Sequence, residues 1–283
     1  MTEPAFALDS RAIFESAYPE MPILLRHGLI NSALLTLPAL VTLAASLPPR
    51  HVEYNPGALP IGIDPVDVPS PQLSIAETIR SIEQNGSWMV LKFVETHPQY
   101  AALLAQTLSE VEPLVRAKTG AMLTLQGFIF ISSPHAVTPF HFDPEHNILM
   151  QIRGQKTMNI FPADDESVAP PTAHEAFHRG EHHRNLSWRD EFSAKGTAFP
   201  LTPGDAIYVP VKSPHWVKNG DAVSISLSVT WRSAWSYAEA DARAFNHLLR
   251  QRGLTPSKPK RYPEQNRAKS ITLRALRKLG LPG

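Results

Sequence analysis

The sequence contains no cysteine, which excludes a disulfide framework, a thiolate metal site and a cysteine nucleophile. That absence suits a reducing compartment, and a cytoplasmic location is expected. The first residues carry Glu3 and Asp9 in place of a basic-then-apolar ramp, so no secretory signal is expected. Glycine is scarce beside proline, 14 against 27. Such a proline load interrupts long helices and favours short elements joined by turns. Charged residues make up only 19% while 43% are hydrophobic, enough apolar material to bury a sizeable core. One run, Gly28 to Pro49, has no charge at all and the length of a membrane span. Pro38 interrupts it, however, and Leu37, Leu40, Val41, Ala44 and Leu47 form one helical stripe behind Thr36 as N-cap. A buried amphipathic helix is expected there, not a span.

Net charge is +1 over 283 residues, but it is unevenly placed. Residues 257–283 hold eight cations against Glu264 alone, a net +7, so the rest of the chain sums to −6. Such a tail is either a solvated helix face or a contact for nucleic acid or an acidic partner.

Helical texture is read at Ser74 to Asn85 and at Gln99 to Glu112, with Pro113 as the stop. Trp88 to Val94 reads as a strand. From Met122 short β-rich runs follow one another: Leu123–Ser132, Phe140–Asp143, Ile148–Ile152, Lys156–Phe161, Ala206–Val211 and Val223–Trp231. Ala163 to Gly196 is polar and histidine-rich and reads as an insertion. Helices return at Ala238 to Arg250 and at Ile271 to Leu279. The expected organisation is residues 1–121 packing on a barrel core at 122–235, with 163–196 inserted, and a helical 236–283 with the basic tail. Helices do not alternate with strands, which disfavours a doubly wound parallel sheet.

The sharpest chemical signal is His141-Phe142-Asp143 on a strand, followed far down the chain by His215. Residues at i and i+2 of a strand share a face, so His141 and Asp143 can point at one metal. His215, after the Pro203-Gly204-Asp205 turn and a strand, would supply the third ligand. Two histidines and one carboxylate with open positions suit Fe(II) and dioxygen chemistry. His146 competes as a ligand, but strand alternation turns it to the other face. In the cluster His174, His178, His182 and His183, the 174/178/182 spacing would align as a zinc site on a helix, and Gly180 argues instead for an exposed insertion at the site mouth.

Thr138-Pro139-Phe140-His141-Phe142-Asp143, then Asn147, Gln151-Ile152-Arg153-Gly154 and Lys156, resembles the JmjC/cupin-like Fe(II)- and 2-oxoglutarate-dependent dioxygenases. Gly204 to Pro210 and then His215-Trp216 are similar to that family's approach to its distal histidine. The resemblance covers about Met122 to Arg232, and more loosely the N-terminal half. It implies a mainly β fold, a double-stranded β-helix (jelly roll) core flanked by N- and C-terminal helices. It implies that His141, Asp143 and His215 ligate iron and that Lys156 pairs with the distal carboxylate of 2-oxoglutarate. Thr138 would add a hydroxyl to that carboxylate, and Asn147 would contact the co-substrate near the metal. The tyrosine that some relatives place beside the lysine has no obvious counterpart. Ser224, Ser226, Ser228 and Thr230 stand on one face of the last strand where a relative has asparagine.

The expected activity is hydroxylation of a protein side chain or a small molecule. The alternatives are a non-catalytic sensor that binds a metal and a small carboxylate, or a cupin enzyme working without 2-oxoglutarate, in which Lys156 would have no role. Trp88, Trp216, Trp231 and Trp235 are either walls of a substrate site or core. Ala238, Ala242, Phe245, Leu248 and Leu249 could bury a homodimer interface or pack on their own barrel. A linker at Thr255 to Pro259 would let Ile271–Leu279 swing to a partner.

Overall fold

The computed structural model describes residues 5–56, 58–64, 67–68, 73–181 and 186–280. Strict alternation along its central strands builds two faces. The chain runs α1 (Leu8–Ala17), β1 (Ile23–Arg26), α2 (Leu37–Ser46), β2 (Val52–Pro56), α3 (Ile75–Arg80), β3 (Ser87–Lys92), α4 (Pro98–Ser109) and α5 (Glu112–Thr119). It continues with β4 (Leu123–Ser132), β5 (Val137–His141), β6 (His146–Arg153), β7 (Lys156–Ile160), α6 (Pro171–Phe177) and β8 (Thr197–Leu201). It ends with β9 (Asp205–Val209), β10 (His215–Asn219), β11 (Ser224–Arg232), α7 (Ala234–Gln251) and α8 (Arg267–Lys278). A seven-stranded sheet, in order β1-β9-β6-β11-β4-β3-β2, faces a four-stranded sheet, β5-β10-β7-β8. Every pairing in both is antiparallel. This is the expected mainly β, double-stranded β-helix architecture with helices at both ends.

On β11, Ile225, Leu227, Val229 and Trp231 point one way, together with Ile129 and Ile131 of β4, Ile148 and Met150 of β6, and Met89 and Leu91 of β3. They meet Phe14 of α1, Leu40 and Leu43 of α2, Ile79 of α3 and Leu104 and Leu108 of α4 in the main core. Each fully buried aliphatic side chain there contributes roughly 1.5–3 kcal/mol of transfer free energy. The alternate residues of the same strands face the smaller sheet. Leu149, Ile207 and Val209 meet Met158, Ile160, Leu201 and Val217 in a second cluster that closes one end of the interior.

The uncharged run folds as α2, with Pro38 in its first turn and Leu40, Leu43 and Ala44 buried. Thr36 occupies the N-cap position, but its hydroxyl donates back to the Ala33 carbonyl and caps nothing. Among the described residues no helix is long and apolar enough to cross a membrane. Three readings of the sequence are corrected. Pro113 starts α5 instead of ending a long helix, because a proline in the first turn has no amide to lose. Strands β1 and β2 arise in stretches where the sequence gives no strand signal, each too short to show a period. The terminal helix does not swing free: Leu273 and Leu276 of α8 pack on Ala244, Phe245 and Leu248 of α7. That contact also covers part of the stripe expected at a dimer interface. Half of the tail's eight cations are paired with the rest of the chain, Arg261 with Glu20, Arg274 and Arg277 with Asp241, and Lys258 with Glu166.

Candidate active site

The site opens between the two sheets, in a cavity of about 360 Å³. His141 ends β5 and His215 begins β10, and the two are directly paired across the strands. Asp143 lies two residues past the end of β5, and its backbone carbonyl accepts from the Lys212 amide at 2.8 Å. The Asp143 carboxylate stands 3.9 Å from His141 Nε2 and 3.6 Å from His215 Nε2. One ligand atom from each of the three residues falls within 4.8 Å of the others. His141 Nδ1 is 2.7 Å from the Pro139 carbonyl and His215 Nδ1 is 2.9 Å from the Ser213 carbonyl. A carbonyl only accepts, so both rings donate from Nδ1 and turn Nε2 toward Asp143. That is the ring orientation a metal needs, held by the backbone carbonyls.

A register shift in the β5–β10 pairing puts two residues of β5, Pro139 and Phe140, against Trp216 alone of β10. Thr138 thereby lines the same cavity as His141, although the two are an odd number of residues apart. Lys156 starts β7 just past the Gly154 turn and lines the cavity with Asn147, Leu149, Met158 and Val217. Lys156 is 6% exposed, and burial pushes its ammonium down to about 7. Its Nζ donates to Ser226 Oγ at 2.9 Å. Among the described residues no carboxylate is within ion-pair distance of it. Ser228 Oγ donates to Asn147 Oδ1 at 2.7 Å, which leaves the Asn147 amide hydrogens for the cavity. Ser224 receives the Gln151 amide instead. The small polar face of β11 is therefore divided: Ser226 for the lysine, Ser228 for the asparagine, Ser224 for the neighbouring strand. Glu145, missed in the sequence, also lines the cavity. Burial, with Asp143 adding to it, raises its carboxyl to about 7, while Arg232 at 4.0 Å opposes the shift. A lone glutamate two residues after a candidate ligand carries no signal that sets it apart.

The competing ligands are accounted for. His146 points away from the cavity, fully buried between Tyr208 Oη at 2.9 Å and Ser233 Oγ at 3.0 Å. The expectation of an exposed histidine insertion is overturned for its described part. Residues 171–177 form α6, which packs on α7 through the Glu175–Arg250 ion pair at 2.8 Å. His174 is 1% exposed against the Phe142 ring, and burial drives both His174 and His178 far below the ordinary histidine range. His182 and His183 lie outside the described residues. Of the tryptophans, Trp231 and Trp235 are core, Trp216 lies beside Trp188 with ring centroids 6.1 Å apart, and Trp88 lines the cavity.

With the geometry in place, comparison with known proteins is informative. A model of the cupin-like domain matches residues 75–237. The chain belongs to the cupin-like domain family. It is similar to Jumonji C domain-containing protein 5 of Drosophila melanogaster, 32% identical over 107 residues, covering 34% of this chain and 25% of that protein. It is 30% identical over 117 residues to lysine-specific demethylase JMJ30 of Arabidopsis thaliana, covering 38% of this chain and 24% of that one. The match thus spans about a quarter of the length of these curated relatives. The fold of this cupin-like protein is also that of YcfD, a ribosomal oxygenase from Escherichia coli. The two superpose with a TM-score of 0.50 at 16% identity, over 98% of this chain and 68% of YcfD. YcfD in complex with cobalt and 2-oxoglutarate gives a TM-score of 0.52, also at 16% identity and with 98% and 68% coverage.

Proposed function

We propose that this cupin-like protein is an Fe(II)- and 2-oxoglutarate-dependent oxygenase that hydroxylates a protein side chain or a small molecule. One observation carries the reading: the cavity that holds two histidines and an aspartate also holds a buried lysine with no acid beside it among the described residues. A lone buried ammonium is unfavourable unless a bound anion completes it. A dicarboxylate that reaches from the lysine to a metal fits that demand, and a lysine is a compact charge suited to it.

His141, Asp143 and His215 would hold the iron, their donor set and ring orientation suiting a divalent metal with positions left open. Lys156 would hold the distal carboxylate of 2-oxoglutarate, with the Thr138 hydroxyl on the same group and the Asn147 amide nearer the metal. When bound, iron and 2-oxoglutarate supply the oxidising power: dioxygen and 2-oxoglutarate give succinate and carbon dioxide, and one oxygen atom enters a substrate C–H bond. The protein's share is placement. Ser226 holds the ammonium, Ser228 orients Asn147, and the apolar Leu149, Met158 and Val217 keep water from the chain of the co-substrate. YcfD, bound to cobalt and 2-oxoglutarate on the same fold, supports this reading, as does the family match. A cytoplasmic location agrees with the lack of cysteine.

The test is anaerobic addition of Fe(II) and then 2-oxoglutarate, watching for the visible metal-to-ligand charge-transfer band. The wild type should give the band, His141→Ala should lose it with the metal, and Lys156→Met should keep the metal but need far more 2-oxoglutarate. Metal binding without a band refutes the oxygenase reading and leaves a sensor or a plain cupin.

A further inference from the structure

Of the three candidate ligands, His141 is oriented from within its own strand, its Nδ1 donating to the Pro139 carbonyl of β5. The other two depend on one short segment, the turn between β9 and β10. The Lys212 amide donates to the Asp143 carbonyl at 2.8 Å, and the Ser213 carbonyl accepts from His215 Nδ1 at 2.9 Å. Asp143 lies past the end of β5, beyond the strand ladder, and His215 is the first residue of β10. Residues 212 and 213 therefore set where two of the three donor groups stand relative to each other.

A lysine is a costly residue for that turn. Its φ is 62°, in the left-handed region where a side chain strains the backbone and glycine or asparagine usually stands. Its side chain is 1% exposed, and an ammonium so placed needs an anion. Both costs have one compensation. Lys212 Nζ forms an ion pair with Glu239 of α7, a carboxylate with no exposure. The other oxygen of that carboxylate accepts from Arg243 Nε at 3.1 Å and from Arg243 Nη2 at 3.0 Å. A buried ion pair often adds no stability over a well-packed apolar pair, but neither charge can leave its partner without being stranded. The side chain thus ties the turn to α7, which a Ser233 capping box starts directly after β11.

We infer that Lys212 and Glu239 are positioning residues for the metal centre: their ion pair holds the 212–213 turn, and with it Asp143 and His215, in the arrangement that binds the metal. Neither side chain lines the cavity, so both act through the two backbone hydrogen bonds of the turn. The inference rests on the proposed metal site for the identity of the ligands, while the holding of the turn is read without metal.

Two measurements on the full chain test it. In the metal-free protein, amide hydrogen exchange is followed at position 212, with Ile225, Leu227 and Val229 of the central strand β11 reporting global stability. Lys212→Met keeps the buried stem and leaves Glu239 paired with Arg243, so the chain should fold. Relative to the β11 amides, the amide at position 212 should exchange at least about tenfold faster than in wild type. Cobalt(II) is then titrated by its d–d spectrum against a competing chelator. Lys212→Met should weaken cobalt binding by about 10–100-fold, the loss typical when a group that orients a metal ligand is removed. Glu239→Gln should do the same, and the double variant should bind no more weakly than the worse single, because the pair acts as one unit. Asp241→Asn is the control: it breaks the pairing of α7 with Arg274 and Arg277 and should lower stability while leaving cobalt affinity and the amide at position 212 as in wild type. A merely structural ion pair would behave like this control. Cobalt affinity within twofold of wild type in both single variants, exchange at position 212 that keeps pace with β11, or additive losses in the double variant overturns the inference. A wild type that binds no cobalt overturns the metal-site reading, and the exchange measurement then still decides whether the pair holds the turn.

Discussion

Replacing Lys156 by methionine should make the protein more stable while removing its hold on 2-oxoglutarate. In the fold the ammonium is brought from its ordinary 10.5 to about 7 by burial, with one hydroxyl as its partner. In the unfolded chain it keeps the ordinary value. The unfolded state therefore binds a proton more readily, and the penalty on the fold is fully present below about pH 7 and is relieved as pH rises toward 10.5. A shift of this size is worth roughly 4 kcal/mol at neutral pH. Methionine matches the lysine stem without the charge, and the loss of the Ser226 hydrogen bond returns about 1 kcal/mol of that. With relaxation around the site, the net gain at pH 7 should be about 2–3 kcal/mol, a rise in Tm of roughly 5 °C. Urea unfolding of the metal-free proteins at pH 7, 8 and 9 reads it directly. The wild type should gain on the variant by about 1.4 kcal/mol per pH unit, so the two curves converge as pH rises. Adding 2-oxoglutarate and a divalent metal should stabilise the wild type beyond what metal alone does, and the variant no further than metal alone. If Lys156→Met is less stable than the wild type at pH 7, or the curves stay parallel, the lysine is not a lone buried cation and the argument for an anion anchor fails.

The other predictions use the same coordinates. On acidification, His146, His174 and His178 stay neutral in the fold, burial holding each well below 6.5, while the unfolded chain protonates them. Stability conferred by these groups is present above about pH 6.5 and falls below it by up to roughly 4 kcal/mol per pH unit for three protons; a flat urea midpoint between pH 6.5 and 5.5 would contradict this. His146→Phe should leave cobalt(II) binding, followed by its d–d spectrum, within a factor of two of wild type, whereas His215→Ala should abolish it; a lost spectrum in the first variant would reinstate His146 as a ligand. Gly154, at φ 68°, has the Val223 carbonyl oxygen 2.3 Å from where a Cβ would stand. Gly154→Ala should therefore destabilise by roughly 2–4 kcal/mol in urea unfolding and weaken 2-oxoglutarate binding, since the turn sets Lys156 in place.

The fold class and the cluster of six candidate residues were legible because both depend on alternation and spacing. His141 and His215 are 74 positions apart in sequence, yet one ends β5 and the other begins β10, and cross-strand pairing brings them together. Asp143 was read as lying on the strand; it lies beyond its end, in a segment bent by Pro144 and held by the Lys212 amide. Such a bend is a tertiary effect that a period of two cannot show. Thr138 reached the cavity only through a bulge, which leaves no mark in composition. The histidines of α6 were misjudged because their burial is imposed by α7, nearly 60 residues later, through Glu175 and Arg250. Strands β1 and β2 escaped notice because four or five residues are too few for a pattern to rise above chance.

The larger sheet separates two tasks by parity alone. On β11 the odd-numbered residues from Ile225 to Trp231 bind the sheet to its helices, while Ser228 and Thr230 line the cavity and Ser226 holds the lysine that does. A change at an odd position strikes the main core and with it the whole fold; a change at an even position alters only what the cavity can hold. That parity explains how the inner face carries the buried Lys156 and an unpaired polar atom such as Thr230 Oγ1. The apolar face stabilises the sheet independently, so the inner face can keep groups that disfavour folding and favour a ligand. Variation confined to the even positions of β11 and β4 should therefore change ligand preference with little change in stability. A library of Gln126, Phe128, Ser228 and Thr230 variants scored for both properties would test this, and a loss of stability that tracked every change in ligand preference would show that the two faces are not independent.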